Sequence, residues 1–296
     1  MRIDRASERG NAASWLLALL VIALLIGGWF WLQGKSGSPS NGEPPADDGP
    51  PSDEQDGPEN GPADPDDEPA EPPALVDEDG RVFSYLPVGD LLPNSGPGLA
   101  DDTVYRSDIL FPTEDAVYLN SQVYRYGGMN GALNGMNGAQ CDARNYDYPW
   151  QDTFCEKRDR NQPLCPGGGH EGLDIRPHTC AKNTHWAVAV EDARVIDVRR
   201  HWVTLQTEDG TLYNYLHLKM DALEVAEGDL VAKGDRIGMI SDNFFKSDGT
   251  SVPTTTHLHF EMYENYVASP GDDPLFTKVN PYVTLVAAYD RKLRAE

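Results

Sequence analysis

WAVAVEDARVIDVRRHWVTLQTEDGTLYNYLHLKMDALEVAEGDLVAKGDRIG, residues 186–238, is the stretch that decides the fold. Trp186–Val190, Arg194–Val198, Trp202–Thr207 and Thr211–Leu216 are rich in β-branched and aromatic residues, the types that fit a pleated surface. Asp209-Gly210 divides the last two runs, and that pair is a strong hairpin signal. Val225, Gly228, Asp229, Val231, Gly234, Asp235, Ile237 and Gly238 then follow at six-residue internal spacing. Glycine at a tight turn accepts a conformation that a Cβ would block. No apolar period of 3.6 residues appears before the C-terminal tail. The expectation is a mainly β domain, a compact antiparallel β-sheet of barrel or sandwich form.

Histidines flank this core. Upstream stands Gly169-His170-Glu171-Gly172-Leu173-Asp174-Ile175, and downstream Thr256-His257-Leu258-His259-Phe260-Glu261. Alternate side chains of a strand share a face. His257 and His259 therefore point one way, with Leu258 and Phe260 toward the core. His170, Gly172 and Asp174 share the same parity, and Leu173 and Ile175 the other. A fourth histidine, His217, ends the Tyr213-Asn-Tyr-Leu-His-Leu run. The three imidazoles and one carboxylate of the two flanking motifs, lining one cleft, make a ligand set for zinc with an open position. Either motif alone is weak; their order, strand context and glycine-rich approach agree. Position 174 is Asp, so this is not a His-Glu-x-x-His helix with Glu171 as its base. His178, His185 and His201 have no such setting and read as surface or structural.

Four cysteines, Cys141, Cys155, Cys165 and Cys180, fall within forty residues without a Cys-x-x-Cys pair. In an exported domain they imply two disulfides. Three pairings are open, and the sequential one, Cys141–Cys155 with Cys165–Cys180, closes the smallest loops.

Ala12–Leu32 is apolar except for Ser14, and about 20 such residues span a bilayer. Trp15, Trp29 and Trp31 mark its ends, and Arg2, Arg5 and Arg9 precede it, which orients the N-terminus inward. The segment is long for a cleaved signal peptide and lacks a clear cleavage site, so an uncleaved anchor is the expectation. Fifteen carboxylates and no Lys or Arg fall between Ser36 and Gly80. Such a stretch cannot bury enough apolar surface to fold, and forty residues of it reach on the order of 120 Å.

The resulting organisation is a cytoplasmic N-terminus at 1–11, a transmembrane helix at 12–32 and a disordered acidic linker at 33–75. Residues 76–140 are the first part of the extracytoplasmic domain, 141–285 the part that holds the cysteines and the histidine motifs, and 286–296 a tail. The chain carries 48 Asp+Glu against 24 Lys+Arg, which argues against a nucleic-acid partner, because phosphate binding needs basic surface.

His170-x-x-x-Asp174, Tyr215-x-His217-Leu, the glycine-turn repeat and His257-Leu-His259-Phe-Glu together resemble the LytM/lysostaphin-type zinc endopeptidases. The match covers Gly167 to Tyr282, about two-fifths of the chain, with four blocks in the right order. The resemblance implies a β-sheet peptidoglycan hydrolase holding Zn2+ on His170, Asp174 and His259, with His257 catalytic and His217 its partner. It implies peptidoglycan peptides as substrate. With the anchor, it implies a single-pass inner-membrane protein whose catalytic domain lies in the periplasm or cell exterior. Relatives that lack ligands only bind the wall or activate other hydrolases, and that non-catalytic role is the alternative. Some relatives are latent because an upstream Asn fills the zinc site; the resemblance makes Asn120 the candidate counterpart here, and whether the site is latent stays open. Ser241–Thr256 is longer than the family's usual link, and the cysteine-bearing region is outside its pattern. The glycine repeat with Leu218-Lys219-Met220 is also similar to a biotinyl/lipoyl-like carrier, a reading that export and the adjacent His217 disfavour.

Overall fold

The structure is a computed structural model that describes residues 74–115, 118–119 and 140–295. The expected transmembrane segment at 12–32, nearly all of the linker, Asn120 and the Gly/Asn-rich stretch from Gly127 to Gly138 lie outside the described residues. No helix among the described residues is long and apolar enough to cross a membrane.

The four runs read from the sequence form β3 (Trp186–Val188), β4 (Ala193–Val198), β5 (Trp202–Gln206) and β6 (Leu212–Leu216). Between β5 and β6 the Asp-Gly turn closes on Thr207 N–H donating to the Thr211 carbonyl, with Gly210 at φ +100°. β1 (Tyr118–Leu119), β2 (Leu173–Arg176), β8 (Leu230–Val231), β10 (Leu258–Tyr266) and β11 (Leu275–Val279) complete the larger sheet. Its order is β1-β2-β10-β6-β5-β4-β8, antiparallel throughout, and β11 pairs the far half of β10. β7 (Leu218–Leu223) and β9 (Arg236–Ile240) join β3 in a second sheet of order β3-β9-β7.

The barrel form of the expectation is corrected here. The outer strands of the larger sheet, β1 and β8, do not pair with each other, so neither sheet closes. The chain instead changes sheets between β6 and β7 at His217, whose φ of +66° makes the corner. A left-handed backbone at a residue with a Cβ costs about 1–3 kcal/mol, so the surroundings must hold it. His217 N–H donates to the His201 carbonyl, and its own carbonyl accepts from Ser241 N–H.

One contiguous core unites strand residues such as Val203, Tyr215, Leu258 and Phe260 with Ile109, Phe111 and Trp150. The C-terminal helix α1 (Tyr282–Ala295) buries Leu285, Val286, Ala288 and Tyr289 against it. Trp150 packs on Tyr289 at 4.5 Å and on Phe111 at 5.4 Å between ring centroids. Residues of the 76–115 stretch and of the C-terminal tail thus belong to the same core as the strands.

The cysteines pair as Cys141–Cys180 and Cys155–Cys165. This nested pairing departs from the sequential pairing that closes the smallest loops. Loop length ranks only the unfolded-chain entropy; the folded backbone decides which sulfurs meet.

Asp152 is fully buried and ties three segments together. Its carboxylate accepts from Gly89 N–H at 2.8 Å, Phe154 N–H at 2.8 Å and Asn280 Nδ2 at 2.7 Å. An amide in its place turns an NH2 toward at least one of those donors. Asp152→Asn is expected to lose about 1–3 kcal/mol of stability, read as a lower midpoint in urea unfolding with an unchanged slope.

Candidate metal centre

β2 and β10 are neighbours, with Asp174 directly opposite His259 in the register. The close approach depends on Gly172, where a Cβ would overlap the Phe260 carbonyl oxygen. His170 enters just before β2, and His257 just before β10. Leu173, Ile175, Leu258 and Phe260 are all fully buried on the opposite face, as the alternation requires.

All five expected site residues meet, and each is at least nine-tenths buried: His170, Asp174, His217, His257 and His259. His170 Nε2 lies 2.9 Å from His259 Nδ1 and 3.2 Å from Asp174 Oδ1, and His259 Nδ1 lies 3.1 Å from that oxygen. His257 Nε2 is 3.3 Å from the same oxygen. The His217 and His257 ring centroids are 4.5 Å apart.

The other nitrogen of each imidazole is already committed. His170 Nδ1 donates to the Thr153 carbonyl at 2.8 Å, and His257 Nδ1 to the Thr255 carbonyl at 2.7 Å. His217 Nδ1 donates to the Asn243 carbonyl at 2.8 Å. His259 Nε2 faces Glu261 Oε1 at 3.1 Å. A carbonyl only accepts, so these partners fix the tautomers through the hydrogen-bond network. What remains at the centre is a set of lone pairs on His170, His259 and Asp174 facing one another. Such an arrangement demands a positive charge between them, a proton or a cation.

The spacing fits a metal. His170, Asp174 and His259 form a ligand group whose donor atoms lie within 4.8 Å of one another. A tetrahedron with zinc bonds of about 2.0–2.1 Å has an edge of about 3.3 Å, close to the three contacts above. The His259–Glu261 bond adds the carboxylate partner that orients a metal-binding imidazole.

The protonation states agree. Burial pushes His170 down to about 4 and outweighs the attraction of Asp174. Burial, with His257 and His259 nearby, holds His217 well below the usual histidine range. Burial opposes charging of Asp174, but His170 and His257 hold its carboxyl well below the ordinary value. Burial alone would lower His259; its bonds to Asp174 and Glu261 raise it instead. Glu261 likewise stays ionised, down at about 2, because His259 and Lys278 overcome its burial.

Glu261 went unassigned in the sequence reading, although it shares the parity of His259 two residues on. It also accepts from Asn214 Nδ2 at 2.7 Å and from Lys278 Nζ at 3.0 Å. Glu261→Gln is expected to weaken zinc binding roughly 10- to 100-fold, measured by competition with a chelating dye; unchanged affinity would remove Glu261 from the site. The carbonyls of Thr153, Asn243 and Thr255 had no sequence signal, because any residue supplies one. Two of them belong to the long 241–256 segment, which thereby orients both His217 and His257. His201, set aside as surface or structural, lies with its ring parallel to His217 at 6.4 Å. His178 instead faces Asp79, and His185 bonds Asp115 and Thr179. The cleft over the triad is lined also by Arg158, Arg160, Leu216, Phe244 and Thr254.

Residues 168–270 match the sequence model of Peptidase family M23. No curated protein matches the chain. Among solved structures, similarity extends to a chain named for a glycyl-glycine endopeptidase lytM of Ruminococcus gnavus, 20% identical, with a TM-score of 0.36 over 62% of this chain and 61% of that one. The chain therefore spans about three-fifths of that protein's length. The catalytic domain of lysostaphin from Staphylococcus simulans is 22% identical, with a TM-score of 0.34 over 48% of this chain and 94% of that one. A zinc-containing peptidase from Vibrio cholerae is 27% identical, with a TM-score of 0.25 over 36% and 31%. The stretch that matches Peptidase family M23 includes His170, Asp174, His217, His257 and His259.

Proposed function

We propose that the protein is a zinc endopeptidase that cleaves peptide bonds of peptidoglycan, in the stem peptide or a cross-link. The observation that carries this reading is the triangle of His170 Nε2, Asp174 Oδ1 and His259 Nδ1, with edges of 2.9–3.2 Å and two further imidazoles beside it. His170, Asp174 and His259 would hold the ion. Bound zinc polarises a carbonyl and brings the pKa of its water to about 7.

The chain's own groups do the rest. His217 and His257 are held by the Asn243 and Thr255 carbonyls with Nδ1 protonated, which leaves each Nε2 able to take a proton. One accepts the proton of the attacking water and returns it to the leaving amine. The imidazolium so formed steadies the charge that grows on the scissile carbonyl oxygen until its proton passes to the amine, and the second imidazole lies beside it at 4.5 Å between ring centroids. Positioned groups of this kind contribute roughly 10²–10⁴-fold. The burial of all five side chains excludes competing water and strengthens these interactions.

The setting belongs to the same proposal. The apolar segment 12–32 would anchor the chain in the inner membrane, and the acidic linker 33–75 would hold the domain out in the periplasm or cell exterior. Two disulfides suit an oxidising compartment. Digestion of purified peptidoglycan, with products identified by mass, tests the reading. New amino termini from cut stem or cross-link peptides are the expected result. Binding to the wall by zinc-loaded protein without any cut bond would contradict it and favour a non-catalytic module.

A further inference from the structure

The Cys155–Cys165 loop brings two arginines to the wall of the histidine cleft, Arg158 and Arg160. In a chain of net charge −24, this is a local reversal of sign. The loop is not loosely placed. A Cβ at Gly168 would overlap the Arg160 carbonyl, and one at Gly169 would press on the Cys155 backbone and the Cys165 side chain. Gly169 N–H donates to the Arg160 carbonyl, and His170 N–H to the Glu156 carbonyl. The glycine run before His170 thus fixes the loop directly against the metal triad.

Two carboxylates, Glu156 and Glu171, hold the cations, and the exposed Asp159 lies between them in sequence. Glu156 is fully buried and holds Arg158 Nη2 at 2.9 Å. Arg160 is 41% exposed along its side chain, and Glu171 Oε2 is 3.4 Å from its Nη1. Glu171 is also held by Lys278 Nζ at 2.9 Å, and Lys278 in turn binds Glu261 behind His259. An incoming carboxylate can therefore take the fork of Arg160 without stranding Glu171, which keeps Lys278. A planar guanidinium is suited to a bidentate carboxylate.

We propose that Arg160, supported by Arg158, forms an anion subsite that selects peptides bearing a free carboxylate close to the scissile bond. This rests on the peptidase reading above and names its substrate class, an acidic peptide. The stem peptides of peptidoglycan offer such a group on their glutamyl residue.

The test uses the full-length protein, zinc-loaded and metal-free, with two synthetic peptides. One is Ala–γ-Glu–Lys–Ala with the glutamyl α-carboxyl free; the other has that carboxyl amidated. Calorimetry is expected to give about 10- to 100-fold tighter binding of the acid form, a preference that shrinks as salt rises. Arg160→Gln should collapse the preference, and Arg160→Lys should restore part of it. Equal affinity of the two peptides, no binding of either, or a preference that survives Arg160→Gln would overturn the subsite. Cleavage of both peptides at one rate would overturn the subsite and leave the peptidase intact. Acid-selective binding without cleavage of peptide or wall would do the reverse.

Discussion

His259→Ala is expected to lower bound zinc from about one equivalent per chain to a trace, and peptidoglycan cleavage to background. His259 is the centre of the network: Nδ1 meets His170 and Asp174, and Nε2 meets Glu261. Its removal leaves two ligands, too few to hold an ion against water. It also takes away the partner that two buried carboxylates share, leaving Asp174 to His170 and His257 and Glu261 to Lys278 and Asn214. A second readout follows from linkage. Zinc at about a hundredfold its dissociation constant should stabilise the wild-type fold by roughly 2.7 kcal/mol. The variant's melting temperature should not respond to zinc at all. Stoichiometric zinc in His259→Ala would show that the triangle is not the metal site.

His217→Asn is expected to keep zinc and lose roughly 10²–10⁴ in kcat. The choice of residue matters, because His217 sits at φ +66°. Asparagine is among the residues that tolerate the left-handed region, whereas most others are strained there. The corner between β6 and β7 is then preserved while the proton acceptor is lost. His257→Ala should behave alike in kcat, and the double variant should lose less than the product of the two, since groups acting as a unit are non-additive. A His217→Asn enzyme cleaving at the wild-type rate, with zinc content unchanged, would remove His217 from the chemistry. Loss of zinc instead would move it into the ligand set.

Much of this was legible in the sequence, and the parts that were not have physical reasons. Period-two alternation placed His257 and His259 on one side and Leu258 and Phe260 on the other, because a strand permits nothing else. The same rule reaches Glu261, which the sequence reading left unassigned. The Asp209-Gly210 hairpin was readable because the turn needs a positive φ at glycine. The left-handed His217 was not, since only the meeting of two sheets imposes that conformation on a histidine. The open sheets depend on which edges meet, and no local pattern encodes that. Cys155 is placed by its N–H bond to the His170 carbonyl, a contact that loop length does not encode. Ile109 and Phe111 join the core through contacts with Trp150 and α1, partners far away along the chain. The carbonyls that orient the histidines are backbone atoms and carry no residue signature.

The most direct measurement is a titration of metal-stripped protein with zinc, following both bound metal and the release of new amino termini from peptidoglycan. Cleavage should be absent in the stripped protein, rise in proportion to bound zinc, and level off at about one equivalent. Full cleavage in the stripped protein, or none with one zinc bound at His170, Asp174 and His259, would contradict the account.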